Sequence, residues 1–266
     1  MNRILMLAAA ALFGWVGVPA RAAAADEDIP KAEAILDKYV EVTGGRAAYD
    51  KVQTEIVTGA MEFVGKGIKA SIVAYKARPR KSYNVIEVEG IGKIEQGTDG
   101  EVAWERSAIQ GPRIKEGEER ASALRDAALN APWREIYKKA ETAGVETIDG
   151  RPCYKVILTP DEGKPETRYY DKKTNLLVKG TKTVKTPMGE IPAEVILSDY
   201  KEVDGILLPL KLRQKALSQE FLIVIESVKN NVEIPKNRFD LPEDVKALVE
   251  KSKAGGKVEP GAGVAR

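Results

Sequence analysis

The chain contains no histidine at all and a single cysteine, Cys153. The first absence removes Ser-His-Asp and Cys-His catalytic arrangements, histidine-bearing zinc sites and imidazole proton shuttles together. The second rules out an internal disulfide, so stability must come from a packed core. Cys153 has no imidazole to draw off its proton, and its neighbours alternate as in a strand, which reads as a buried, inert thiol. Charge of one sign is also lacking. Lys and Arg number 42 against 40 Asp and Glu, and removing Arg3 and Arg21 with a leader equalises them. Such neutrality argues against nucleic acid as a partner.

Long apolar runs are absent after the start. There, "MNRILMLAAAALFGWVGVPARAAAADEDIP" has a basic opening at Arg3, an apolar stretch from Ile4 to Val18, and alanines after Pro19. This is the pattern of a cleavable signal peptide over residues 1–25, with cleavage within Ala22 to Ala25, and it implies an exported, periplasmic protein. The apolar stretch is too short to span a bilayer comfortably.

Beyond the leader, Asp28 and Pro30 open a helix carrying Ala34, Ile35, Lys38, Tyr39 and Val42, stopped at Gly44-Gly45. "RAAYDKV" adds a short second helix. From Thr54 the period changes to two, and a run of hairpins begins: "TEIVTGAMEFV", "IKASIVAYKA", "RKSYNVIEVEG", "GKIEQGT" and "EVAWERS". Glu116 to Gly144 breaks the alternation with good helix formers, divided by Pro132, and Ala121, Leu124, Ala128, Trp133, Ile136 and Tyr137 fit an apolar stripe. Strands resume at Val145 and continue to Ile234; a short terminal helix and a disordered tail over residues 250–266 close the chain. The expected architecture is one domain over residues 26–249, mainly β with a helical lid. Its core would be an unclosed, strongly curved antiparallel barrel of about ten or eleven strands.

Candidate chemistry is sparse. The carboxylate pairs Glu118-Glu119 and Asp161-Glu162 read as solvated, and Asp99, Asp149 and Asp204 each precede a turn glycine. "GKGIKA" lacks the spacing of a phosphate loop. No catalytic, metal or cofactor site emerges, and a monomeric non-enzyme is expected. The ligand-binding candidates are apolar instead. Met61 and Phe63 share a face with Val57, and Val73 and Tyr75 share one on the partner strand. Trp104, the stripe residues Leu124, Trp133, Ile136 and Tyr137, and Phe221 and Ile223 complete a lined, lidded cavity. Each acyl CH₂ buried there would contribute about 0.8 kcal/mol.

The order of motifs resembles the LolA-like periplasmic proteins. "IDGRPCYKVILTPDEGKPETRYYDKKTNLLV" is similar to their central hairpins, in which a G…Y.V.L.P strand precedes a strand ending in Tyr-Asp and a T..L turn. "SDYKEVDGILLPLKL" (Ser198 to Leu212), "FDLPEDV" (Phe239 to Val245) and the N-terminal "ILDKYVEVTGGRAAYDKVQTEIVTGAMEF" extend the resemblance from Ile29 to about Val249. It implies an unclosed barrel with helices as a lid over a hydrophobic cavity. It also implies a carrier of lipid or lipoprotein acyl chains between membranes, with an envelope membrane protein as a second candidate partner. An envelope sensor or interaction module on the same scaffold is the alternative. The lipoprotein carrier holds its lid shut with an arginine on an early strand; Arg78 and Arg80 flank Pro79 in that region, and neither is matched to it.

Overall fold

In the computed structural model the described residues are 29–186 and 189–255, so the leader and the residues after 255 lie outside them. Two helices, α1 (Ala32–Val42) and α2 (Arg46–Lys51), lead into six consecutive strands: β1 (Thr54–Phe63), β2 (Ile68–Ala77), β3 (Lys81–Val88), β4 (Gly92–Thr98), β5 (Ala103–Ser107) and β6 (Gly111–Lys115). Helices α3 (Gly117–Ala127) and α4 (Trp133–Ile136) follow. A second run of strands comprises β7 (Tyr137–Ile148), β8 (Arg151–Pro160), β9 (Glu166–Asp171), β10 (Leu177–Thr186), β11 (Gly189–Val203), β12 (Ile206–Ala216) and β13 (Gln219–Asn230). Helix α5 (Glu243–Gly255) ends the described chain, running past the boundary expected at residue 249.

All thirteen strands form one antiparallel sheet in the order β6-β5-β4-β3-β2-β1-β13-β12-β11-β10-β9-β8-β7. Two meanders are therefore joined by a single non-sequential pairing, β1 with β13, and the sheet ends at two unpaired edges, β6 and β7. The expected mainly-β, unclosed, curved sheet is the one observed, with more strands. The additional strand β6 contains Pro112, which cannot donate to a ladder and is tolerated because β6 is an edge. The first half of β7, "YKKAETAG", was expected to be helical. Its Lys, Ala and Glu favour a helix only weakly, and pairing with β8 from Tyr137 to Ile148 outweighs that preference.

The curvature follows from one contact set. Helix α3 touches β3, β4 and β5 on one side and β10 on the other. In a flat sheet β4 and β10 would stand roughly 33 Å apart, whereas an 11-residue helix is only about 16 Å long. The sheet must curl around the helix, and α3 lies on its concave face. The same helix is the link from β6 to β7, so the chain crosses from one edge of the sheet to the other through the mouth of the trough.

The main core lies on the concave face at the β7–β9 end. Ala32, Ile35 and Leu36 of α1 pack there on Val156, Leu158 and Tyr170, with Tyr137 and partly buried Trp133 and Ile136 beside them. Tyr39 meets Tyr170 edge-on, ring centroids 5.4 Å apart. On the convex face, the segment after β13 folds back over β2–β6. The Arg238 guanidinium sits 4.6 Å from the Tyr75 ring centre and 5.4 Å from that of Tyr83, Arg106 pairs with Asp244 at 3.4 Å, and Val245 is fully buried.

Candidate functional site

Because directly paired residues in an antiparallel sheet share a face, the ladder registers define the concave surface row by row. The outermost row is Phe221–Phe63–Ile68, and the next is Leu212–Ile223–Met61–Ala70–Val88. A third runs Ile225–Gly59–Ile72–Ile86–Ile94. These rows are apolar, and most of their side chains are half-exposed. The Phe63 and Phe221 rings meet edge-on at 4.9 Å. The helices pack chiefly on β3–β7 and β10, so the apolar rows across β1, β12 and β13 have no broad helical cover among the described residues.

The concave surface then changes character. The fourth row is Val228–Val57–Ala74–Asn84–Gln96–Glu105–Arg113, and the fifth is Asn230–Glu55–Lys76–Ser82–Thr98–Ala103–Lys115. Over them lies α3, flanking a half-open pocket of about 430 Å³ between β2–β6 and β10. Polar contacts hold the helix from both sides. Toward β6, Arg113 donates two hydrogen bonds to Glu119, at 2.8 and 2.9 Å, and Arg120 donates to the Glu101 carbonyl at 2.7 Å. Toward β9 and β10, Lys182 pairs with Asp126 at 3.0 Å, Arg125 donates to the Glu162 carbonyl at 2.7 Å, and Glu118 accepts the Lys164 amide at 3.1 Å.

Burial raises the pKa of Glu55, and the charge of Lys76 opposite only partly offsets it. Burial works on Glu105 in the same sense, but the hydrogen bond from Arg113 and the charge of Lys115 outweigh it and hold that carboxyl below its ordinary value. Near the α1 core, Arg168 donates to the Tyr137 hydroxyl at 2.7 Å and to Glu166 at 2.8 Å, and Tyr137 donates to Glu166. Cys153 is fully buried with Tyr169 and Val178, its thiol pushed up by burial and by Asp171, as suits an unreactive packing residue. Among the described residues no group of three His, Cys, Asp or Glu side chains is placed to hold a metal ion, and no helix is long and apolar enough to cross a membrane.

Of the ten residues singled out in the sequence, four come together: Met61, Phe63, Phe221 and Ile223 form the apolar end of the concave face. Tyr75 and Trp104 lie on the opposite, convex face, in the row Tyr75–Tyr83–Gly97–Trp104 under the C-terminal segment. Trp104 is nearly fully buried there, spread across Gly97, where an added Cβ would come within 3.2 Å of its ring. Trp133, Ile136 and Tyr137 belong to the α1 core and do not close over β5. Leu124 is buried on α3. Missing from the ten are Ile68, Ile72, Ile86 and Leu212 in the apolar rows, and Lys76, Asn84 and Gln96 in the polar ones. Their alternation was visible in the sequence, but only the register says which alternate set faces inward.

No family model matches the chain, and no curated protein matches it in sequence. Solved structures do match in fold. A DUF1329 family protein from Desulfovibrio piger aligns over 79% of this chain and 97% of its own, at 16% identity and a TM-score of 0.54. A LolA superfamily protein from Nitrosomonas europaea aligns over 80% and 98%, at 14% identity and a TM-score of 0.55. A Vibrio parahaemolyticus domain described as outer membrane lipoprotein-sorting aligns over 77% and 97%, at 11% identity and a TM-score of 0.51. The fold is LolA-like.

Proposed function

We propose that this LolA-like half-barrel is a periplasmic carrier that binds the acyl chains of a lipid or lipoprotein along the open apolar rows of its concave face. The observation that carries the reading is the strip formed by Phe63, Phe221, Met61, Ile223, Ile72 and Ile86, apolar in register across neighbouring strands and left half-exposed. A contiguous apolar surface of this kind is costly in water unless something is bound to it. An acyl chain lying along the rows would gain about 0.8 kcal/mol for each CH₂ removed from water. Exported status rests on the leader, and the fold neighbours are compatible with it.

The sheet edges favour this reading over docking by strand addition. Edge β6 is short and carries Pro112, and β7 is interrupted by irregularities at Tyr137/Lys139 and Thr142/Gly144. Both devices discourage pairing with another chain.

The test is uptake of a fluorescent fatty acid by purified protein, together with native mass spectrometry of its lipid extract. Bound lipid and saturable uptake are expected. Phe63→Asp or Ile223→Asp, which place a charge on the apolar rows, should weaken uptake at least tenfold. Absence of both bound lipid and uptake in the unaltered protein would overturn the reading.

A further inference from the structure

Along three neighbouring strands the inward residues change from apolar to polar within two successive rows. Along β2 the inward residues run Ile68, Ala70, Ile72, Ala74 and then Lys76. Along β3 they run Val88 and Ile86, then Asn84 and Ser82, and along β4 Ile94 precedes Gln96 and Thr98. The change falls at the fourth row in β3 and β4 and one row later in β2, where Ala74 precedes Lys76. The polar rows begin about 7 Å, two residues, from the isoleucine row.

The half-open pocket beside α3 is lined by polar groups. The side chains of Ser82 and Asn84 make no hydrogen bond with any described residue, although Ser82 is buried. Lys76 donates to the Asp126 carbonyl at 3.0 Å and forms no ion pair with a described carboxylate. Seven Lys and Arg side chains line the cavity against five carboxylates. Polar side chains that face open pocket space without a protein partner are free to hydrogen-bond a ligand or water there. At about 430 Å³ the pocket is within the usual size range of small-ligand sites.

We propose that this cavity is a headgroup subsite and that the ligand is an anionic glycerophospholipid, its acyl chains on the apolar rows and its phosphate held by Lys76 and Lys182. Asn84 and Ser82 hydrogen-bond the headgroup oxygens, and α3 flanks it. The inference rests on the acyl-chain reading above and narrows it to a ligand with two chemically distinct ends. A phosphate oxygen between two ammonium groups forms charge-assisted hydrogen bonds, the stronger kind.

The experiment is calorimetric titration with dihexanoyl phosphatidylglycerol and dihexanoyl phosphatidylcholine, with glycerol 3-phosphate as the chain-free probe. The unaltered protein is expected to bind phosphatidylglycerol roughly tenfold more tightly than phosphatidylcholine. The preference should shrink with added salt and disappear in Lys76→Gln/Lys182→Gln. Asn84→Ala, which leaves the ion pairs of α3 untouched, should reduce phosphatidylglycerol affinity on its own and serves if the double variant fails to fold. Equal affinity for the two lipids, or a preference unaltered in the variants, would overturn the headgroup subsite and leave acyl-chain binding standing. Binding of neither lipid would overturn both. Tight binding of glycerol 3-phosphate alone would sink the two-ended ligand in favour of a free-phosphate site.

Discussion

Single residues show how closely backbone segments approach. Gly44 ends α1 with φ of 129° and lies against the β11–β12 turn, where an added Cβ would stand 2.3 Å from the Gly205 carbonyl oxygen. The neighbouring Thr43 carbonyl accepts the Leu207 amide at 3.0 Å, so this glycine docks the helical cap to the sheet. Gly44→Ala is expected to cost about 2 kcal/mol or more, read as a lowered urea midpoint. Tyr83 offers a pH test. Burial, reinforced by its hydrogen bond to Glu95, pushes its pKa up to about 12. The neutral phenol is therefore favoured in the folded state, and the stability it contributes is complete below pH 10 and lost as pH rises toward 12. Tyr83→Phe should flatten the alkaline limb of a thermal-melt series between those values. At this scale the sequence was half legible. Met61 and Phe63 were correctly placed together, because residues two apart on a strand must share a face. Tyr75 was not, because both faces of "IKASIVAYKA" are apolar; only the pairing of Phe63 with Ile68 turns Tyr75 outward.

Among the elements, α3 is the most informative. Its residues favour a helix, and the sequence placed one there. Only Leu124 and Ala127 of α3 are buried, and the helix is held in place largely by polar contacts of Glu118, Glu119 and Asp126. Arg113, which bridges Glu105 and Glu119, is the main tie to β6. Arg113→Met removes the bidentate partner of Glu119 and leaves Glu105 with Lys115 alone, and should destabilise by about 2 kcal/mol. Hydrogen exchange should report this locally, as faster exchange of amides 117–127 with β8 and β9 little changed. Acid should act in the same place. The Glu105 pKa is depressed in the fold, so its contribution is present above the unfolded value of 4.5 and lost as pH falls through the lower folded value. Exchange of α3 should accelerate on acidification below pH 4.5 in the unaltered protein, and much less in Glu105→Gln. The first half of β7 was missed for the opposite reason: nothing in "YKKAETAG" outvotes its helix formers until β8 is available as a partner.

For the molecule as a whole, hairpin connections made the meander readable, and the length of that antiparallel meander pointed to its curvature. The join was not readable. That β1 pairs with β13 depends on two segments at opposite ends of the domain, and no local pattern announces such a pairing. The curl of the sheet around α3 goes with the topology, since the link between the two edge strands crosses the trough. The C-terminal segment adds a further whole-chain contact. Truncation after Glu233 should uncover Trp104, Tyr75 and Tyr83, giving a red-shifted tryptophan emission and a lower melting temperature. An unshifted spectrum would count against the clasp.

The β1–β13 pairing also sets a timetable. As the chain is made, β1 through β6 can assemble as soon as they emerge, yet one flank of β1 stays bare until the last strand arrives. For that interval the nascent protein presents a ten-residue strand edge with unmet amides and carbonyls. Pairing across so long a stretch of sequence is slow. A variant that delays β13 would therefore be expected to do its damage as aggregated, newly synthesised chains, with little loss of stability in molecules that have already closed.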